Sequence, residues 1–255
     1  MISATFNDAA RDASPSVWGE RLRDLIDVLV SSVALVALSP VLLAVAVLTK
    51  LDSPGPVLFR QERIGRNRRR RSAPARRDGE RRRRDLHGRP FTFYKFRTMC
   101  ADSRERFPHL YDYSHRPDDL RTVPIKVLMC KKGQAYAPKD AMQEDPRLTA
   151  VGRWLRRTSI DELPNLLNVL KGDMHLVGPR PDIAENIAFY HPHELRILDV
   201  KPGVTGLAQV TGRGFLSFEE INALDLEYLR ARSLWVDARI LIRTFLELVR
   251  ARGAY

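Results

Sequence analysis

The sequence predicts a helix-rich α+β protein attached to one face of a membrane by an N-terminal helix that enters and returns. Three observations predict it. An uncharged run carries a proline at its middle and basic residues at both ends, two β-prone segments read as one hairpin, and several helical periodicities follow them.

The run Val28–Thr49, VLVSSVALVALSPVLLAVAVLT, holds 22 residues without a charge. That is enough for a helix to cover a bilayer core of ~30 Å. Arg21 and Arg23 precede it, and Lys50, Arg60, Arg63 and Arg66 follow it. Basic residues mark the cytoplasmic side of a membrane segment, and here both ends carry them. Pro40 removes a backbone hydrogen bond and kinks the chain. Ser39 before it can hydrogen-bond the freed backbone, which in lipid needs a partner. A re-entrant helix over residues 20–50, bent at Ser39 and Pro40, satisfies all of this, and replacing Pro40 with leucine is expected to straighten it. A straight span is the alternative, since proline is tolerated in spanning helices. A signal peptide fits poorly, because the run starts late, is too long and lacks a small-residue cleavage site. The layout is then a disordered tail over 1–19, the re-entrant helix over 20–50, and one domain over 51–255.

Net charge is +12, and it is unevenly placed. Arg68–His87 holds ten arginines against Asp78, Glu80 and Asp85, so seven of the twelve charges lie there. The run reads as a solvated, disordered loop. Adhesion to anionic lipid is the sharper reading. Nucleic acid is not expected as a partner, because no aromatic residues are interleaved for stacking. Cys100 and Cys130 give neither metal spacing nor a disulfide framework, and His191 and His193 read as surface residues.

Val57–Gly65 (VLFRQERIG) and Pro90–Met99 (PFTFYKFRTM) are rich in aromatic and aliphatic residues and pair as a hairpin, with the arginine run as its tip. Arg104–Asp145 is polar and weakly periodic, and short helices are all it suggests. Pro146–Arg157 reads as a basic helix, and Ile183–Val200 and Phe218–Arg230 have helical spacing. Leu234–Val249 is strongly apolar and reads as a core or an interfacial membrane helix.

Chemistry concentrates in Arg156–Asp182, RRTSIDELPNLLNVLKGDMHLVGPRPD. Leu163, Leu166, Leu167 and Leu170 recur at helical spacing, predicting one apolar face. Gly172 is placed to stop the helix. Pro164 fits a first turn, where its missing N–H costs nothing, so Asp161 becomes the N-cap and Glu162 the first helical residue. A capping box from Ser159 to Glu162 is the other start. Two adjacent carboxylates at the positive end of a helix sit where ionised side chains and phosphates are favoured. Such an aspartate suits nucleophilic attack on phosphorus, and such a glutamate suits Mg²⁺, which takes one or two carboxylates plus substrate phosphates. A plain acidic cap is the simpler reading of the same residues. Arg180, stiffened by Pro179 and Pro181, is suited to bidentate phosphate binding, or to a surface turn. Lys201–Gly214 (KPGVTGLAQVTGRG) has four glycines that allow close backbone approach to a ligand, but it matches no phosphate-loop fingerprint.

Taken in order, these pieces resemble the bacterial sugar transferase family, the monotopic phosphoglycosyl transferases. The matching stretches are the Ser39-Pro40 bent helix, PVLFRQERIG, FYKFRTM, DPRLTAVGRWLRRTSIDELPNLLNVLKGDMHLVGPRP, KPGVTGLAQVTGR and LDLEYLRARSLWVDARI, and they cover most of Arg21–Leu246. The resemblance implies transfer of a sugar phosphate from a nucleotide diphosphate sugar, a UDP-sugar by expectation, to polyprenol (undecaprenyl) phosphate. The products would be a polyprenol diphosphate sugar and a nucleoside monophosphate, at the first membrane step of exopolysaccharide or lipopolysaccharide assembly. It implies that Asp161 is the nucleophile and that Glu162 helps hold Mg²⁺. It puts Lys95, Arg156, Arg180, Arg213 and Asp237 at substrate-binding positions. It also implies a catalytic domain on the cytoplasmic face of a bacterial inner membrane, with membrane lipid as a partner. The chain departs from the family's pattern at the arginine insertion over 68–88 and in a longer Asp102–Ala141 region, and it lacks the large extra N-terminal membrane domain of longer relatives.

Two rival readings stay in view. A membrane-anchored basic adaptor would use the arginine run and leave Asp161, Glu162 and Arg180 unexplained. A Mg²⁺-dependent nucleotide-sugar hydrolase would use the same carboxylates without a lipid acceptor.

Overall fold

The structure, a computed structural model, describes residues 17–67, 87–108, 121–122, 145–212 and 215–249. The polar tail up to Ser16, most of the arginine run, most of Arg104–Asp145, Cys130 and Arg213 lie outside them.

The N-terminal run forms two helices, α1 (Val17–Ala37) and α2 (Ser39–Asp52), which meet at 63°. Pro40 lies in the first turn of α2, where an N–H would have no helical partner. The Val36 carbonyl, which residue 40 would engage in a continuous helix, accepts the Ser39 hydroxyl at 2.8 Å. Among the described residues no single helix is long and apolar enough to cross a membrane; this bent pair meets the length and composition test only together. Leu25, Leu29, Val33 and Val36 of α1, and Leu43 and Leu51 of α2, are exposed.

Both ends of the pair are fastened to the same body. From α1, Arg23 Nε donates to Asp237 Oδ2 at 2.7 Å, and Glu20 accepts from Arg232 at 2.6 Å. Asp24 pairs with Lys201, and Asp27 Oδ2 lies 2.6 Å from Nδ1 of the fully buried His175. From α2, the carbonyls of Thr49, Ser53 and Pro54 all accept from the guanidinium of Arg97. Asp52 also caps the Val151 N–H at 2.9 Å.

The expected hairpin forms from β1 (Leu58–Ile64) and β2 (Pro90–Phe96), antiparallel, with Leu58 opposite Phe96 and Ile64 opposite Pro90. Alternation along β2 sends Phe91 and Phe93 into the main core. A single turn, α3 (Ser103–Arg106), follows, and then α4 (Ala150–Thr158). The basic helix starts later than Pro146, because Thr149 takes the N-cap and its hydroxyl accepts the Gly152 N–H at 2.9 Å. A 3₁₀ segment (Ile160–Asn165) leads into α5 (Leu166–Leu170).

β3 (His175–Val177) and β4 (Gly203–Thr205) form a second, parallel pair. A Cβ on Gly203 would lie 2.1 Å from the backbone nitrogen of Gly178. This glycine therefore admits another stretch of backbone, not the ligand that the glycine-rich segment suggested. The helix expected over Ile183–Val200 is instead two short pieces, α6 (Ala184–Ile187) and a 3₁₀ turn (Glu194–Asp199). His191-Pro192-His193 separates them, since proline cannot sit inside a continuous helix without losing a bond. After α7 (Leu207–Gly212), the last two helices run as their periodicity predicts: α8 (Phe218–Ala231), opened by a Ser217–Glu220 capping box, and α9 (Leu234–Val249). α9 is half core and half surface: Val236 and Ile240 are buried, while Trp235, Ile242 and Phe245 are exposed.

Candidate active site

Ser159 ends α4 in the left-handed region, φ 55°, with its N–H donating to the Arg156 carbonyl. A non-glycine residue there carries a cost on the order of 1 kcal/mol. The turn sends the chain at once into the 3₁₀ segment, which packs against β2. Asp161 and Glu162 fall in its first turn; Ser159 and not Asp161 takes the N-cap position, with no side-chain capping bond, and its carbonyl accepts the Glu162 N–H at 3.3 Å. A short 3₁₀ segment makes a weak dipole, so the electrostatics here come from side chains.

The predicted leucine face is also rotated. Leu166 is buried, but Leu167 and Leu170 are exposed, and Asn165, Asn168 and Val169 are buried in their place. The cause is polar: Asn168 Nδ2 donates to the Thr92 carbonyl at 2.7 Å, and its Oδ1 accepts the Tyr94 N–H at 3.3 Å. A buried asparagine thereby fixes the segment after Asp161 and Glu162 to the strand that carries Lys95.

Arg180 reaches Glu162 as a fork, Nη2 to Oε1 at 2.6 Å and Nη1 to Oε2 at 3.2 Å. The bidentate partner of Arg180 is thus a carboxylate of the protein itself. Asp161 is 7% exposed and accepts no hydrogen bond from the described residues. Burial, then the neighbouring Glu162 charge, pushes its carboxyl up to about 6, while Lys95, Arg156 and Arg180 oppose that rise. Burial alone would raise Glu162 too, but the charge and hydrogen bonds of Arg180, with help from Lys95 and Arg63, hold it below the usual carboxylate range. Lys95 is pushed down to about 8, by burial and then by Arg156. Its ammonium lies 5.2 Å from the Phe59 ring centre. Arg156 donates from Nε to the Thr98 hydroxyl at 3.0 Å.

The structure thus gathers Asp161, Glu162, Lys95, Arg156 and Arg180. Asp237, expected at a substrate position, is engaged elsewhere: one carboxylate oxygen accepts from Arg23 and the other from the Tyr228 hydroxyl at 2.8 Å. There it ties α1 to the last two helices. Arg63 joins the cluster without having been singled out in the sequence. Its signal was the two-residue period of the hairpin, which puts Gln61 and Arg63 on the face of Phe91, Phe93 and Lys95. Burial, then Arg180, pushes its guanidinium down to about 10.

Among the described residues, no group of three or more His, Cys, Asp or Glu side chains comes together as a metal cage. Two adjacent carboxylates remain, a set too small for a structural metal. It fits Mg²⁺, which keeps waters and takes further oxygens from substrate phosphates. What the cluster can do follows from its parts: one unengaged carboxylate to attack, one pinned beside it, and cations to neutralise an anionic substrate.

The chain matches the bacterial sugar transferase family over residues 18–73 and 79–251. It belongs to that family. Among curated relatives, it is 35% identical over 235 residues to the undecaprenyl-phosphate galactose phosphotransferase of Salmonella typhimurium, covering 92% of this chain and 42% of that protein. It is 32% identical over 229 residues to the exopolysaccharide production protein ExoY of Rhizobium meliloti, covering 90% of this chain and 86% of that one. To the UDP-glucose:undecaprenyl-phosphate glucose-1-phosphate transferase of Caulobacter vibrioides it is 35% identical over 249 residues, 94% of this chain and 74% of that one. The chain thus spans less than half of the Salmonella sugar transferase and most of the other two.

Proposed function

We propose that this sugar transferase moves a sugar phosphate from a nucleotide diphosphate sugar to a polyprenol phosphate at a membrane surface. The observation that carries the reading is the pairing at residues 161 and 162. A buried, unengaged Asp161 lies beside a Glu162 that Arg180 holds in a fork, with Lys95 and Arg156 close by. The activities for which the Salmonella and Caulobacter relatives are named support the substrate classes.

In the first displacement an Asp161 oxygen attacks the sugar-bearing phosphorus. The phosphoanhydride bond breaks, and the nucleoside monophosphate leaves with the electron pair. In the second, a phosphate oxygen of the polyprenol attacks that phosphorus and the Asp161 carboxylate departs. Glu162 would hold Mg²⁺ through the oxygen that it now shares with Arg180 at 3.2 Å, which frees one Arg180 N–H for substrate, and the ion would supply positive charge to the diphosphate. Lys95, Arg156 and Arg180 spread further charge over the phosphoryl oxygens, as phosphoryl transfer requires.

Membrane attachment through α1 and α2 is part of the same proposal. The start of α1 and the end of α2 are fastened to one body, and such a pair re-enters instead of crossing. The apolar outer face of α9 lies flat on lipid by the same reading.

The test is a panel of UDP-sugars assayed for UMP release with and without polyprenol phosphate. One UMP per enzyme without acceptor, sustained turnover only with it, and loss of both in Asp161→Asn are expected, with the variant still folded because the amide is isosteric. Substantial turnover by Asp161→Asn sinks the covalent route, and sustained release that ignores the acceptor makes the protein a hydrolase.

A further inference from the structure

We propose that Arg63 is a positioning residue that sets Arg180 against Glu162. The inference rests on the reading of that site as a phosphate site and adds to it a residue of β1 that holds the Pro179-Arg180-Pro181 turn. Arg63 Nη1 donates to the Pro181 carbonyl at 3.2 Å, one residue beyond Arg180. Its Nη2 donates to Gln61 Oε1 at 2.8 Å, and its guanidinium carbon lies 5.6 Å from the Phe93 ring centre. The next backbone link repeats the tie, the Ile64 N–H donating to the Asp182 carbonyl at 2.8 Å. The turn is therefore clamped to β1 at the two residues that follow Arg180, whose own side chain reaches Glu162.

A guanidinium is an unfavourable way to fill this place if packing were all it did. The side chain is 19% exposed, and its nearest carboxylate oxygen, on Asp182, is 3.9 Å away. Its Nε has no partner among the described residues. Beside it stands a second arginine of like charge, Arg180. Burying a charge without a close counter-ion costs stability, and a leucine or methionine between Phe91 and Phe93 would avoid that cost. What an apolar side chain lacks is the donor to Pro181 and the positive charge felt at Glu162.

The test is a double-mutant cycle on the full-length protein, read in two ways: UMP release from UDP-glucose, and calorimetric binding of inorganic pyrophosphate in Mg²⁺ buffer. If Arg63 acts through Arg180, Arg63→Met lowers turnover about tenfold to a hundredfold, as a misplacement on the order of 1 Å does. It also weakens pyrophosphate binding. In an Arg180→Met background the same substitution adds almost nothing, because the two residues share one effect. Arg63→Lys, which keeps the charge and the stem over Phe93, restores part of the pyrophosphate affinity, and it serves as the folded comparison if the methionine variant is unstable. Additive losses in the cycle, or a variant that loses thermal stability while its folded fraction keeps normal turnover and affinity, overturn the proposal. A wild-type protein that binds pyrophosphate with the coupled pattern yet releases no UMP from any UDP-sugar overturns the transferase reading and leaves the Arg63 assignment standing.

Discussion

Pro40→Leu, which by sequence should straighten the membrane run, is expected to leave the topology unchanged unless Arg97 is also removed. A straight helix over Val17–Asp52 would be ~54 Å long at ~1.5 Å per residue. In the native chain that form is penalised by about 3 kcal/mol, the cost of proline inside a helix. Replacing Pro40 lifts this penalty and lets Val36 regain a backbone partner. Against that gain stand the fastenings of α2. Arg97 donates to the carbonyls of Thr49, Ser53 and Pro54, and hydrogen bonds to charged groups contribute roughly 1.5–3 kcal/mol each. Val45 is buried with Phe96 and Leu155, and a fully buried valine contributes about 1.5–3 kcal/mol more. The fastenings together exceed the gain, so Pro40→Leu alone keeps both ends on one face. Pro40→Leu with Arg97→Met loses the three donors, bringing the two forms within reach of each other and giving a mixture. The assay is maleimide labelling of a cysteine placed at Ser14, in membrane vesicles of defined orientation, with Cys100 and Cys130 changed to serine. External labelling of the single Pro40→Leu variant would refute the reasoning. So would a double variant labelled only from the cytoplasmic side.

Arg180→Lys keeps the charge but only one of two contacts to Glu162, and a loss of turnover of about tenfold or more is expected; kinetics within a factor of about two of wild type would make Arg180 structural. Excising residues 68–86 with a short turn in their place should keep acceptor-dependent turnover, because the hairpin ladder is already closed by the Gly65 N–H donating to the Arg89 carbonyl at 2.9 Å; loss of all function would favour the adaptor reading. Asp225→Asn tests a buried carboxyl other than Asp161 and Glu162. Burial, then Asp182, pushes Asp225 up to about 8, and Asp182 and Tyr190 are the titratable groups coupled to it. A raised folded pKa gives stability that is complete below the unfolded value and is lost as pH rises toward 8. The asparagine variant should therefore gain on wild type as pH goes from 5 to 8, by a difference on the order of a few kcal/mol. Parallel melting curves at both pH values would show that Asp225 does not titrate in this range.

Local signals were legible wherever a residue's partner lay close in sequence. Ser39 and Pro40 marked the helix break, because the freed Val36 carbonyl is three residues from the hydroxyl that takes it. The aromatic and aliphatic content of its two segments gave the hairpin, and helical spacing gave α8, while the Ser217–Glu220 capping box that opens α8 is seen only in the structure. The site's adjacent carboxylates and the stiffened Arg180 could be read in the same way. What could not be read were choices made by distant backbone. The leucine pattern of residues 163–170 predicts a core face, yet the edge of β2 offers a carbonyl and an N–H to Asn168. Satisfying those groups outweighs burying Leu167 and Leu170. Gly203 looked like part of a ligand loop because nothing local says that it meets the backbone of Gly178.

The charges on α1 carry the remaining argument. Glu20, Arg23, Asp24 and Asp27 follow the spacing i, i+3, i+4, i+7, which is one face of a helix, and each has a partner on the body: Arg232, Asp237, Lys201 and His175. This stripe ends at Asp27, one residue before the uncharged run begins. A helix held by partly buried ion pairs cannot slide along its axis without separating them, and leaving a buried charge unpaired costs about 3–5 kcal/mol. The stripe therefore fixes how far the apolar half of α1 projects from the body that carries Asp161 and Glu162. Asp237 serves this end, which explains a carboxylate in the apolar helix α9 that accepts from Arg23 and Tyr228 at once. If α1 and α2 enter lipid as proposed, the same residues set the height of Asp161 and Glu162 above it. Severing the stripe, even with every group around Asp161 intact, should impair transfer to a lipid-borne acceptor more than attack on a soluble donor.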